Sequence, residues 1–295
     1  MKNNEKKQKH PLLRLVAGLP LGTLYIVSDL TFFFVYYIVR YRRRLVRENL
    51  TCSFPDKDTH EIRRIERAFY HNLCDVFVES FKLLNISDEE LRRRVDVQNT
   101  ELVERLAGEG KNVFMLLGHL GCWEWYQEVS VRYRQPKKGG EIYKHISSPY
   151  FSSLMHEIRS RWDTEQVEMR QVVRTLLQWK SQGELFLMGF IQDQRPSGMK
   201  INDAVTFMNQ MTAIVPGAES IAPKIGAEQV YLDVERLSRG HYRLTFREMS
   251  IPADLAGRKN PLTALYYRML EENIRHQPEL YLWSHNRWCK WDLTK

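Results

Sequence analysis

The first 50 residues contain one long apolar run, at residues 19–39, in which Asp29 is the only charged residue. Its 21 residues match the thickness of the hydrocarbon core of a bilayer. Because Asp29 makes insertion only marginally favourable, the pattern predicts either a spanning helix or a hairpin within one leaflet. A buried core helix is the alternative, but the aromatic content of the run and the arginines at residues 40–47 argue against it. We therefore expect residues 1–45 to form a membrane anchor.

Apolar residues at helical spacing follow this anchor. From residue 58 to 84 they recur at intervals of three and four, and Asp58 with Glu61 forms a capping pair at the start. Ser148 followed by Pro149 marks the start of another helix. Further helices are predicted at residues 100–107, 166–182 and 261–276, whereas the charged stretch 88–94 is expected to form a solvated surface.

Two uninterrupted apolar runs, at residues 111–117 and 185–191, have the length and composition of strands buried on both faces. Weaker strand patterns occur at residues 141–145, 229–236 and 242–248. Strands that alternate with helices predict an α/β fold with a mixed, mostly parallel sheet and helices on both faces. No linker-like stretch follows residue 50, so residues 46–295 are expected to form one catalytic-sized domain.

The distribution of charge along the chain indicates which kind of partner the protein binds. The 295-residue chain has a net charge of +8, and residues 1–50 hold +7 of it. The basic residues bracket the apolar run rather than cover the folded domain, which favours anionic lipid headgroups over nucleic acid. Equal numbers of positive charges on the two sides leave the orientation of the anchor open. The four cysteines, which include Cys289, form no Cys-x-x-Cys pair, so a disulfide scaffold or structural zinc site is not expected.

The candidate chemistry lies directly after the first buried strand, in the segment of residues 118–124. His119 and Glu124 are too far apart around a continuous helix, so they can meet only if His119 lies in a loop and Glu124 begins the helix behind it. Glu124 would then hold one ring nitrogen of His119, and the other would accept a proton from a substrate hydroxyl that attacks a carbonyl. The alternative is a histidine satisfied in a tight turn beside a surface glutamate.

The spacing of His119 and Glu124 resembles the His-x-x-x-x-Asp/Glu motif of the lysophospholipid acyltransferase superfamily. The chain is more particularly similar to the bacterial late-acting lipid A acyltransferases, through the segments at residues 67–72, 117–124, 191–194 and 278–288. This resemblance implies acyl transfer from acyl carrier protein to a hydroxyl of a phosphorylated glucosamine lipid, with His119 as general base and Glu124 as its orienting partner. It also implies an inner-membrane protein whose catalytic domain faces the cytoplasm, without a metal or dissociable cofactor.

Three further residues are candidates for substrate binding. Arg159 closes the helix that begins at Pro149 and could hold a phosphate or a developing oxyanion, or be an ordinary surface residue at a helix end. Asp193 and Gln194 follow the second buried strand and could shape the site beside His119, or only bond to loop amides.

Other residues near the motifs have simpler interpretations. Cys122 could act as a thiol nucleophile, but a buried free cysteine is the commoner role. His285 is expected to be structural, and tryptophans such as Trp123 and Trp291 could line an acyl channel or simply belong to the core and membrane interface. The sequence departs from the family pattern at residues 207–210, where Phe-Met-Asn-Gln stands in place of an expected Phe-Phe-Gly or Phe-Leu-Gly. This departure leaves open other lipid acceptors, such as an acylated amino acid or a lysoglycerolipid, and an inert binding module is the rival of a different class.

Overall fold

A computed structural model describes residues 10–288 apart from 133, 137, 145–147, 163 and 197–202, so Cys289 and Trp291 lie outside the described residues. The described helices are α1 Pro11–Ala17, α2 Leu21–Phe33, α3 Arg43–Ser53, α4 Thr59–Lys82, α5 Asp88–Arg94, α6 Thr100–Gly108, α7 Pro149–Arg159, α8 Val172–Ser181, α9 Gly217–Ile225 and α10 Pro261–His276. The described strands are β1 Val95–Gln98, β2 Asn112–Leu117, β3 Lys138–Tyr143, β4 Glu165–Glu168, β5 Phe186–Ile191, β6 Ala204–Phe207, β7 Gln210–Ala213, β8 Ala227–Ser238 and β9 His241–Glu248. A π-helical segment, Phe34–Val39, continues α2, and 3₁₀ helices span Trp123–Val131, Met169–Gln171 and Pro278–Leu280.

Seven strands form the central sheet in the order β1-β9-β8-β2-β5-β3-β4. Every neighbouring pair is parallel except β8 and β9, which are antiparallel. All six residues of β2 are buried, as expected for a central strand that helices cover on both faces. The predicted fold class, a mixed and mostly parallel sheet with helices, is therefore confirmed.

The strongest local signals gave the most accurate element boundaries. The carboxylate of Asp58 caps α4 through the backbone N–H groups of His60 and Glu61, and Glu61 completes the capping box. Helix α7 begins at Pro149 behind a Ser148 cap, as predicted. Helix α10 also has the predicted bounds.

The predicted helix at residues 166–182 is wrong in its first part. Residues Glu165–Glu168 form the edge strand β4, in which Val167 pairs with Ile142 of β3 and is the only buried residue. A four-residue strand with one buried position has no periodicity that distinguishes it from a helix start. Strand β1 and the β6–β7 hairpin were not predicted. The charged stretch 88–94 forms helix α5, in which Leu91 is the buried residue.

The apolar helix of the predicted anchor covers Leu21–Val39 and is long and apolar enough to cross a membrane. One face of it packs on α4, and the pairs of contacting residues run in opposite directions along the two helices: Tyr25 with Glu79, Ser28 with Asp75, and Phe32 with His71. The other face exposes large apolar side chains, which include Ile26, Val27, Leu30, Phe33, Phe34, Ile38 and Val39. The helix thus has a partner for one face and none for the other within the described part of the chain.

Candidate active site

The register of the two central strands places the candidate histidine beside an aspartate. Leu117 of β2 pairs directly with Ile191 of β5, and both strands run in the same direction. His119 and Asp193 each follow two residues after these paired positions, so the carboxyl ends of the strands bring them together. Gly121 has the positive φ of +53° that turns the chain back after His119.

Both oxygens of Asp193 bond to His119. The ring Nδ1 lies 2.6 Å from Oδ1, and the backbone N–H donates to Oδ2 at 3.2 Å. Asp193 is fully buried, and burial alone would raise its pKa, but the charge and hydrogen bonds of His119 outweigh this and hold the pKa below its ordinary value. An ionised carboxylate can only accept, so Nδ1 carries a proton in both forms of the ring, and Nε2 carries the lone pair when the ring is neutral. The side-chain amide of Gln194 donates to this Nε2 at 3.1 Å.

Glu124 does not contact the ring of His119, so the predicted hydrogen bond between them is not present, and the orienting role of Glu124 stays a prediction. Its carboxylate accepts two hydrogen bonds from Arg159, at 2.9 Å from Nε and 2.6 Å from Nη2, and a third from Trp123 Nε1 at 3.1 Å. Glu124 lies in the 3₁₀ helix behind the His119 loop, as predicted, but Nδ1 of His119 is bonded to Asp193 and Nε2 to Gln194. An aspartate from a neighbouring strand meets the ring because the sheet register fixes their distance, which spacing along the chain does not show.

A second acidic side chain, which is partly buried, completes this cluster. Glu141, from β3, has Oε1 3.5 Å from Nε of Arg159. Burial raises the pKa of Glu141 to about 8, while Arg159 opposes the rise and Glu124 adds to it. The pKa of Arg159 is raised although burial lowers it, because Glu124 accepts its hydrogen bonds. One arginine therefore lies between two carboxylates.

The cluster borders a pocket on the face of the sheet covered by the Trp123–Val131 helix. The space between its walls is about 650 Å³, and this figure includes open solvent. Most of its lining is apolar and comes from the central strands: Met115 and Leu117 of β2, Leu187 and Ile191 of β5, and Ile142 of β3. Gly189, between Leu187 and Ile191, contributes no side chain, and a Cβ there would lie 3.7 Å from Met115 Cε and 3.6 Å from the carbonyl oxygen of Gly140. Such a pocket suits a hydrocarbon chain better than a polar ligand.

The remaining sequence candidates lie in or near the core. Cys122 is fully buried and burial raises its pKa well above the ordinary value, so the thiol is not activated as a nucleophile. His285 accepts a hydrogen bond from the backbone N–H of Arg195 at 3.0 Å, and burial lowers its pKa to about 4. Trp123 packs edge-on against the ring of His119, with centroids 5.0 Å apart.

Sequence reasoning did not single out two charged residues of the site. Glu141 lay in a weak strand pattern with no motif around it. Arg287 is fully buried, donates to the carbonyl oxygen of Ala213 and to the hydroxyl of Tyr267, and its positive charge helps to keep Asp193 ionised. Only its place in the closing segment at residues 278–288 could have drawn attention to it. Among the described residues, no group of three or more His, Cys, Asp or Glu side chains could hold a metal ion.

Comparison with known proteins connects this site to a family. The family model described as bacterial lipid A biosynthesis acyltransferase matches residues 11–290, which include the apolar helix, the His119 loop and the closing segment. No curated protein matches the chain.

Proposed function

Because the chain belongs to the bacterial lipid A biosynthesis acyltransferase family, we propose that it transfers a fatty acyl chain from acyl carrier protein to a hydroxyl of a phosphorylated lipid A precursor. The observation that supports this most directly is the hydrogen-bonded pair of His119 and Asp193, whose histidine ring packs against Trp123, a residue that lines the apolar pocket. The family describes the class of reaction, whereas the donor, the acceptor and the roles of the residues are our proposal.

His119 acts as the general base through Nε2. The acceptor hydroxyl takes the place of the Gln194 amide, gives its proton to Nε2 and attacks the thioester carbonyl. The new carbon–oxygen bond forms, the carbon–sulfur bond breaks, and the proton passes from Nε2 to the departing thiolate of the carrier. Asp193 keeps Nδ1 protonated and stabilises the imidazolium that exists between the two proton transfers.

The acyl chain of the donor occupies the apolar pocket between β2, β5 and the Trp123–Val131 helix. Arg159 fixes Glu124 beside this pocket, since both its Nε and its Nη2 donate to that carboxylate. We propose that Glu124 acts as a positioning residue, with Arg159 as its partner. Binding of a substrate phosphate or oxyanion by Arg159 stays a prediction.

The exposed apolar face of the Leu21–Val39 helix supports attachment to a membrane. A lipid acceptor would reach the site from the same membrane. We propose the bacterial inner membrane, with the catalytic domain on the cytoplasmic side, because acyl carrier protein is the proposed donor.

The decisive experiment compares strains that lack the gene and carry wild type, His119→Ala or His276→Ala. His276 is an exposed histidine at the end of α10 and serves as the matched control. Mass spectrometry of lipid A and of the polar lipids should show one acyl chain lost without the gene, restored by wild type and His276→Ala, and not restored by His119→Ala. Loss of a chain from another lipid would show that the acceptor is wrong. Unchanged lipid pools, or restoration by His119→Ala, would contradict the proposed reaction or its base and favour an inert binding module.

A further inference from the structure

A groove outside the active site is lined only by basic, aromatic and small side chains. It lies between α4 and the segment that links α2 to α3, and it holds about 1020 Å³ of space open to solvent. Its lining residues are Tyr36, Tyr37, Arg43, His60, Arg63, Arg64, Arg67, Ala68 and His71. No carboxylate is among them, so we call it the α4 basic groove.

The basic residues form one stripe along α4. Positions 60, 63, 67 and 71 are three or four residues apart, and position 64 is four from 60 and three from 67, which places all five on the same side of a helix. Arginines packed this closely repel one another, and a helix without a ligand gains nothing from such an arrangement. An anion bound in the groove would relieve this repulsion.

The arginines of the stripe differ from their neighbours in having no carboxylate partner. Arg43 and Arg47, on α3, both pair with the buried Glu66. Arg63, Arg64 and Arg67 are exposed, and within the described part of the chain none of the three forms an ion pair. Arg67 lies over the ring of Tyr37, with its guanidinium carbon 5.8 Å from the centroid.

The α4 basic groove lies at the edge of the exposed apolar face of the Leu21–Val39 helix. Tyr36 and Tyr37 form one wall, and their neighbours Phe33, Phe34 and Ile38 project their side chains into solvent. On its opposite face the apolar helix is tied to the domain through polar contacts, which include the ion pair of Asp29 with Arg239. The helix thus lies along α4, and a membrane that receives its exposed face brings its headgroups to the groove.

We propose that the α4 basic groove binds the phosphate groups of anionic lipids in the membrane on which the protein sits. The inference rests on the membrane attachment proposed above and is independent of the acyl-transfer step. A lipid headgroup fits better than an acidic protein because the groove wall continues directly into the apolar face, where a protein partner would compete with the bilayer.

Vesicle flotation of the full chain tests this proposal. The test variant is Arg63→Ala/Arg67→Ala, and the control is Arg170→Ala/Arg174→Ala, which removes two exposed arginines with the same spacing and without ion pairs among the described residues. Vesicles contain phosphatidylcholine alone or with about one third phosphatidylglycerol. Each arginine near an anionic surface contributes about 1 kcal/mol, so the test variant should bind the anionic vesicles about 30-fold more weakly. It should bind neutral vesicles like wild type, and the control should match wild type on both.

Three results would overturn the proposal. The first is an equal loss of binding in the test and control variants, and the second is a loss that also occurs on neutral vesicles. The third is unchanged vesicle binding by the test variant; if its KM for acyl carrier protein is raised at the same time, the groove binds a protein partner instead. If the test variant does not keep the wild-type melting temperature, Arg63→Gln/Arg64→Gln replaces it. Because flotation needs no substrate, failure here is distinguishable from failure of the proposed acyl transfer.

Discussion

Replacement of Asp193 by asparagine should prevent His119 from acting as the general base, while a side chain of nearly the same shape stays at position 193. The carboxylate accepts from both the backbone N–H and the Nδ1–H of His119, at 3.2 Å and 2.6 Å. An asparagine has only one acceptor atom for these two donors. Since the backbone N–H cannot change, the amide oxygen should face it and the amide NH₂ should face Nδ1. That arrangement requires Nδ1 to accept, which moves the ring proton to Nε2 and blocks it as a base.

The expected fall in kcat follows from the free-energy cost of the reversed orientation of the asparagine amide. If the amide is reversed, two donors face each other and the buried backbone N–H loses its partner, which costs about 1–3 kcal/mol. The productive tautomer of His119 is then a few per cent of the total. The variant also lacks the negative charge that stabilises the imidazolium, and the comparable exchange in a serine-protease triad lowers kcat about 10⁴-fold. We expect kcat to fall about 10³-fold or more in Asp193→Asn, with KM within about threefold of wild type.

The assay is acyl transfer from a purified acyl carrier protein thioester to a lipid A precursor, with kcat and KM measured separately. Glu124→Gln is the matched control, because glutamine keeps an acceptor for Arg159 and Glu124 holds neither ring nitrogen of His119. We expect a loss of about tenfold or less in its kcat. A Glu124→Gln enzyme that loses about 10³-fold, together with Asp193→Asn at more than a tenth of wild-type kcat, would refute the assignment of Asp193 as the residue that orients His119.

Two further predictions concern the pocket. Folded Glu141, with a pKa of about 8, holds a proton between its ordinary pKa of 4.5 and pH 8 that the unfolded chain has released, so its contribution to stability falls as the pH rises through this window. Glu141→Gln should therefore be more stable than wild type by about 5 kcal/mol near pH 9 and equal to it near pH 4, and equal melting temperatures at both pH values would contradict this. Gly189→Leu should shift the donor preference to shorter acyl chains, because the new side chain would extend into the pocket beside Met115; an unchanged preference in a chain-length series would show that the acyl chain lies elsewhere.

Local sequence signals determined a large part of this fold. The capping box at Asp58, the Ser148-Pro149 start and the two uninterrupted apolar runs correspond to α4, α7, β2 and β5. Each of these signals acts through neighbours along the chain or through burial on both faces, so the sequence alone carries it. The short edge strand β4 had no such signal, since pairing with β3 defines it.

The sequence also identified His119, Glu124, Arg159, Asp193 and Gln194 as candidates, but not their contacts. A motif gives the order of residues along one segment, whereas the direct pairing of Leu117 with Ile191 brings His119 to Asp193. Sequence likewise left open whether the apolar helix spans a bilayer or lies in one leaflet. The tertiary structure packs it along α4 through buried polar contacts that composition does not reveal, because only folding brings residues about 50 positions apart together.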